Sequence, residues 1–134
     1  MLPPRRTYRD LLAGRHGQPI TVATLPEQTA ILMSSTAREV KMARDYAVKI
    51  SNKMLTWEDL FIAQDAIMHG YIFLGRRSNV FEFLYFQKKL QKEYLLVLKT
   101  ARWGQEVWFV TFHRIAVQDY RAKSRKLTQI RDHS

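Results

Sequence analysis

Apolar positions recur along this chain with two different periods. Between Thr36 and Lys53, Val40, Ala43, Ala47 and Ile50 return every three or four residues, while Arg38, Lys41, Arg44, Asp45 and Lys49 take other positions. That spacing predicts an amphipathic helix from about Ala37 to Lys53. Ser34-Ser35-Thr36 offers its cap, with Glu39 three residues after Thr36 as in a capping box. A second helix is predicted after Thr56. Glu58 and Asp59 suit the positive end of a helix, Leu60, Phe61, Gln64, Ile67 and Met68 continue it, and Gly70 ends it.

From Tyr71 the period changes to that of strands. Tyr71-Ile72-Phe73-Leu74 and the run from Val80 to Phe86 flank a turn-like Gly75-Arg76-Arg77-Ser78-Asn79, and Lys88, Lys89 and Lys92 fill the next connection. The β-branched and aromatic runs Tyr94 to Thr100 and Glu106 to Arg114, joined by Ala101-Arg102-Trp103-Gly104-Gln105, read as a β-hairpin. Upstream, Ile20 to Leu25 and Ala30 to Met33 each read as a short strand. Met1 to Gly17 reads as a loosely held arm with one helical turn around Tyr8 to Leu12, and Tyr120 to Arg131 as a short basic terminal helix. The expected organisation is a flexible arm over residues 1–17 and one domain over 18–134. Its class is α+β, with N-terminal helices on an antiparallel sheet of about four strands.

Composition narrows the function. A chain of 134 residues with 46% hydrophobic composition has the size of one ordinary domain. With 22 basic residues against 12 acidic ones, the net charge is +10 and the pI about 10.2. An anionic partner is implied, nucleic acid first and an acidic membrane surface behind it. The absence of cysteine removes disulfides, thiolate metal sites and thiol nucleophiles, and fits a cytoplasmic setting. No apolar run follows Arg5, Arg6 and Arg9 as a signal peptide requires, and no stretch approaches about 20 apolar residues, so no membrane span is expected. There is no phosphate-cradling glycine loop, nucleophile elbow or His-Glu-x-x-His helix, and the acidic residues do not cluster. Neither a metal nor a cofactor is expected.

The ends of the predicted hairpin carry the chemistry. His113 can exchange a proton near neutrality, and Arg114 can hold a phosphate with its fork. Lys99 interrupts an apolar strand and must reach the sheet edge or face a wet site. A three-residue loop at Arg102-Trp103-Gly104 would oppose Lys99 to Val107 and Leu95 to Thr111, placing Lys99, Thr111 and His113 on one face. A two-residue turn would put Lys99 with Trp108 and Arg114 instead. In the first register Lys99 sits about 13 Å along the ladder from Thr111 and farther from His113, so it serves as a substrate-positioning contact. Arg102, Arg121, Lys123, Arg125, Lys126 and Arg131, joined by Lys88, Lys89 and Lys92, are the candidates for sequence-independent phosphate contacts. Trp103, Tyr85 and Tyr120 are candidates for base stacking. His69, beside Gly70, suits a helix C-terminus electrostatically, and His16 and His133 lie near the ends.

Taken in order, Ser34-Ser35-Thr36, Leu55-Thr56-Trp57-Glu58-Asp59-Leu60, Leu98-Lys99-Thr100, Gly104-Gln105-Glu106 and Val110-Thr111-Phe112-His113-Arg114 resemble the phage-associated branch of the barnase, EndoU, colicin and RelE-like (BECR) nucleases. The resemblance covers about three quarters of the chain, from Ile31 to Arg131. One departure is Asn52-Lys53, near where that branch carries a His-Pro pair; if that histidine is catalytic in relatives, its role here is either lost or moved to His69 or His113. The resemblance implies helices packed on a curved antiparallel sheet whose open face receives RNA. It implies metal-independent cleavage by attack of the ribose 2′-OH on the neighbouring phosphate, a reaction open to RNA alone. His113, Thr111, Lys99 and Arg114 are then the expected catalytic set. The expected partners are RNA, tRNA among its forms, and an immunity or antitoxin protein. The rivals are a non-catalytic nucleic-acid or protein-binding module and a phage-particle protein whose basic face meets packaged DNA.

Overall fold

The computed structural model describes residues 2–13, 17–43 and 56–132. In chain order these residues form α1 (Arg5–Leu12), β1 (Ile20–Thr24), α2 (Glu27–Leu32), β2 (Glu39–Met42), α3 (Asp59–His69), β3 (Tyr71–Leu74), β4 (Val80–Gln87), β5 (Lys92–Ala101), β6 (Glu106–Arg114), α4 (Val117–Lys126) and β7 (Thr128–Arg131). The fold is α+β. Its seven strands make one sheet in the order β1-β2-β6-β5-β4-β3-β7.

Four consecutive strands, β3 to β6, form the antiparallel meander that the sequence predicts. Their near-continuous apolar runs follow from burial on both faces. On β4, Phe81, Phe83 and Tyr85 join the main core with α1, α2 and α3, whereas Leu84 joins Phe73 and Leu95 in a second cluster under Tyr120, Ile115 and Leu127. The sheet is larger than the expected four strands because both flanks are extended. β7 pairs antiparallel with β3, and the antiparallel pair β1 and β2, joined through α2, adds on beside β6. It is also mixed rather than antiparallel, since β2 runs parallel to β6.

Local signals explain the other departures. Ala30 to Met33, expected as a strand, belongs to α2 and the turn after it, a helix that starts immediately after Pro26. The helix expected from Ala37 is instead strand β2, whose burial alternates from Glu39 to Met42. Residues 44–53 of that expected helix, Asn52-Lys53 included, lie outside the described residues. Ser34-Ser35-Thr36 do not cap a helix. Thr36 N (2.9 Å), Ser35 Oγ (3.1 Å) and Thr36 Oγ1 (3.3 Å) all donate to Gly104 O, fastening the β5–β6 turn to the α2–β2 loop. Gly104 has φ +84°, and a Cβ there would lie 2.3 Å from Ser34 O, so glycine is required.

The start of α3 follows the sequence. Thr56 and Asp59 bond reciprocally, Thr56 N donating to Asp59 Oδ2 (2.9 Å) and Asp59 N to Thr56 Oγ1 (3.3 Å). The expected loose arm carries α1, whose Tyr8 and Leu11 are buried in the main core. Trp57 Nε1 donates to Pro3 O (3.0 Å), and Arg5 pairs with Glu58 while lying over the Trp57 ring. The predicted terminal helix divides into α4 and β7.

Candidate active site

The face of the meander away from α1 to α3 holds the candidate chemistry. Lys99 pairs with Trp108, as a two-residue turn would demand, although the loop from Arg102 to Gln105 is longer. A β-bulge then shifts the register: Leu98 pairs with Phe109 but Val97 with Thr111, leaving Val110 as the extra residue. Because of that one residue, Thr111 and His113 come onto the face of Lys99 and Trp108, and Arg114 stays on the other. Lys99 is two β5 residues from the partner of Thr111, about 7 Å along the ladder. That is closer than the regular hairpin allowed. His113, opposite Leu95, is about 14 Å away.

Glu82 is the residue that sequence reasoning missed. It pairs with Val97 on β5, and Val97 pairs with Thr111, so the three lie in one row across the sheet. Its side chain is only 12% exposed, and Lys123 Nζ, reaching down from α4, holds Oε1 at 2.6 Å. A carboxylate removed from water needs such a partner to remain ionised. The signal was present as a single carboxylate interrupting the apolar run Val80 to Phe86, the same interruption that singles out Lys99 in β5.

Glu82 and His113 line one cleft of about 590 Å³, with Leu95 on β5, Asp119, Ala122 and Lys123 on α4, and Arg76 in the β3–β4 turn. His113 Nδ1 lies 2.8 Å from Arg114 O. A carbonyl only accepts, so Nδ1 carries the hydrogen and Nε2 is the basic nitrogen of the neutral ring. Glu82 and His113 sit two strands and two residues apart, about 12 Å between Cα atoms. Their side chains can approach one phosphate from two sides. Thr111 is nearby, but its Oγ1 is buried and has no hydrogen-bond partner among the described residues, so this hydroxyl is covered rather than open to a phosphate.

The other predicted residues are dispersed. Lys88 and Lys89 are exposed in the β4–β5 turn, and Arg102 pairs with Glu106 (3.5 Å) at the opposite end of the sheet. Arg121 and Arg125 are exposed on α4, and Lys126 closes that helix. Arg131 is internal. Its Nε (3.0 Å) and Nη2 (2.7 Å) donate to Gly70 O, Nη2 also to Ala66 O (3.3 Å), and Nη1 to Thr29 Oγ1 (3.0 Å). It ties β7 to the C-terminus of α3 and to α2, and burial pulls its pKa below the ordinary arginine value. His69 is exposed in the last turn of α3. His16 and His133 lie outside the described residues. Tyr85 is buried against the helices, Tyr120 packs edge-on to Tyr71, and Trp103 stands 99% exposed at the hairpin tip. Among the described residues no three His, Asp or Glu side chains gather as a metal ion would need. Compared with models of known protein families, with curated proteins and with solved structures, the chain gives no match.

Proposed function

We propose that the protein is a metal-independent ribonuclease, allied to the phage-associated BECR nucleases and acting as a phage-associated or toxin-like enzyme in the cytoplasm. One observation carries this reading: a single cleft is lined by a histidine, a shielded carboxylate and two cations, as His113, Glu82, Lys123 and Arg76. In the reaction, Glu82 accepts the proton of the ribose 2′-OH as that oxygen bonds to phosphorus. His113, as the imidazolium, gives a proton to the departing 5′-oxygen as the P–O5′ bond breaks. Lys123 and Arg76 offset the charge that builds on the phosphorane oxygens. The products are a 2′,3′-cyclic phosphate and a free 5′-OH. Lys99 positions the strand, and Arg114, on the opposite face, takes no part. An immunity or antitoxin protein is the partner that restrains such an enzyme.

The test compares His113→Ala and Glu82→Gln with the wild-type chain on single-stranded RNA. Each is expected to lower the cleavage rate about 10²- to 10⁴-fold while RNA affinity changes little. Cleavage unaltered by both substitutions would contradict the assignment. The ion pair itself favours a second reading, since a carboxylate held at 2.6 Å by an ammonium also serves a purely structural end. A non-catalytic RNA-binding module predicts binding by all three proteins and cleavage by none.

A further inference from the structure

We infer that Trp108, flanked by Lys41 and Lys99 on the open sheet face, is a stacking platform for a base of single-stranded RNA; this rests on the RNA reading above. Three strands make the arrangement. Trp108 of β6 is in register with Lys99 of β5 on one side and with Lys41 of β2 on the other. The indole is half-buried and belongs to neither apolar cluster of the molecule, so it is not needed to fill a core.

The ring is held in place. Trp108 Nε1 donates to Glu106 Oε1 (3.3 Å), and the other oxygen of Glu106 faces Arg102 Nε (3.5 Å). With its one polar atom engaged at the ring edge, the indole offers an apolar face, and a pre-oriented face loses little freedom when a base settles on it. Every base has a π-face, so the platform takes single strands without reading sequence. A base inside a duplex is already stacked and has no free face to offer.

Charge selects the occupant and its direction. An apolar protein partner would meet Lys41 and Lys99 on both sides of the indole, whereas the phosphates flanking a stacked base are matched by them. Beyond Trp108 towards the hairpin turn, Glu106 is engaged by Trp108 and Arg102 and Glu39 adds a further negative charge, so that end offers a phosphate chain no surplus of cations. In the other direction lie Thr111 and then His113, about 14 Å along the ladder, a distance that a short run of extended strand spans. A strand stacked on Trp108 is thereby led to the cleft, where Arg76 and Lys123 stand.

The test uses a His113→Ala protein in EDTA, so that no turnover intervenes, and fluorescence anisotropy of a labelled RNA octamer and of the same sequence as a duplex. Trp108→Leu should weaken single-strand binding about 5- to 100-fold and leave duplex binding within about threefold, with Trp108→Phe close to the parent. Equal loss for both RNAs, or no loss, would overturn the platform, as would absence of RNA binding by the parent. Cleavage by the wild-type chain, read beside it, separates the two ideas. Cleavage with undiminished Trp108→Leu binding removes the platform and keeps the ribonuclease, whereas Trp108-dependent binding without cleavage does the reverse.

Discussion

At the scale of the residue, Glu82 and Tyr8 show two ways in which a buried polar group is handled. Glu82 is satisfied by Lys123, and its removal has a chemical consequence under the ribonuclease reading. Because Glu82 is there the group that takes the 2′-OH proton, Glu82→Gln should slow the cleavage step, read in single-turnover kinetics, without weakening RNA binding. Tyr8 is the opposite case. Its hydroxyl is buried with no hydrogen-bond partner among the described residues. Burial, with the nearby charges of Asp59 and Glu58, pushes its pKa well above the ordinary 10.0. Burial does the same for Tyr120. Below about pH 10 the phenols are protonated in both folded and unfolded chains and their contribution is fully present. Above it the unfolded chain ionises first, and stability is lost as pH rises. Tyr8→Phe should therefore be neutral or stabilising by about 1 kcal/mol at neutral pH and should flatten the alkaline decline in a denaturant series. A large destabilisation at neutral pH would show that the hydroxyl has a partner.

At the scale of the element, β7 and Arg131 show how far the sequence could be read. The run Thr128-Gln129-Ile130-Arg131 has one apolar residue, too little for period-2 alternation, so its strand character comes from pairing with β3 and from the Arg131 clamp. Arg131→Ala should cost about 2 kcal/mol, measured by chemical denaturation, with RNA affinity unchanged. An undiminished stability with weaker RNA binding would return Arg131 to the phosphate contacts. β3 to β6 were legible because their runs are long and their turns carry glycine, and α3 because Thr56 and Asp59 sit at capping spacing. The exchange of strand and helix between Ala30 and Met42 was not. Val40 and Met42 alternate with Glu39 and Lys41, but Val40 also begins a three-to-four-residue series with Ala43, and four residues cannot decide between the two periods. The bulge at Val110 leaves no mark in composition, yet it decides which face His113 shares.

At the scale of the molecule, the chain carries a net charge of +10, and among the described residues only some of its cations border the cleft and the Trp108 row. On the RNA reading, four cations, Arg76, Lys123, Lys99 and Lys41, meet a strand crossing this face. With about 0.7 counterion released per single-strand phosphate, the logarithm of affinity should fall with the logarithm of salt with a slope near about −3. Lys41→Ala should reduce that slope by about 0.7 in a binding titration, while Arg9→Ala, exposed on α1 against the other face of the sheet, should not change it. Equal effects of the two substitutions would mean that RNA contacts the surface without preference for this face. Among the described residues no helix is long and apolar enough to cross a membrane.

If one cleft on this sheet cleaves RNA without a metal, the chemistry is written in the ends of its products. Purified protein incubated with single-stranded RNA and tRNA in excess EDTA should yield fragments bearing 2′,3′-cyclic phosphate, seen by phosphorus NMR or mass spectrometry, and none with His113→Ala. Intact RNA, or cleavage that appears only when a divalent cation is restored, would contradict it.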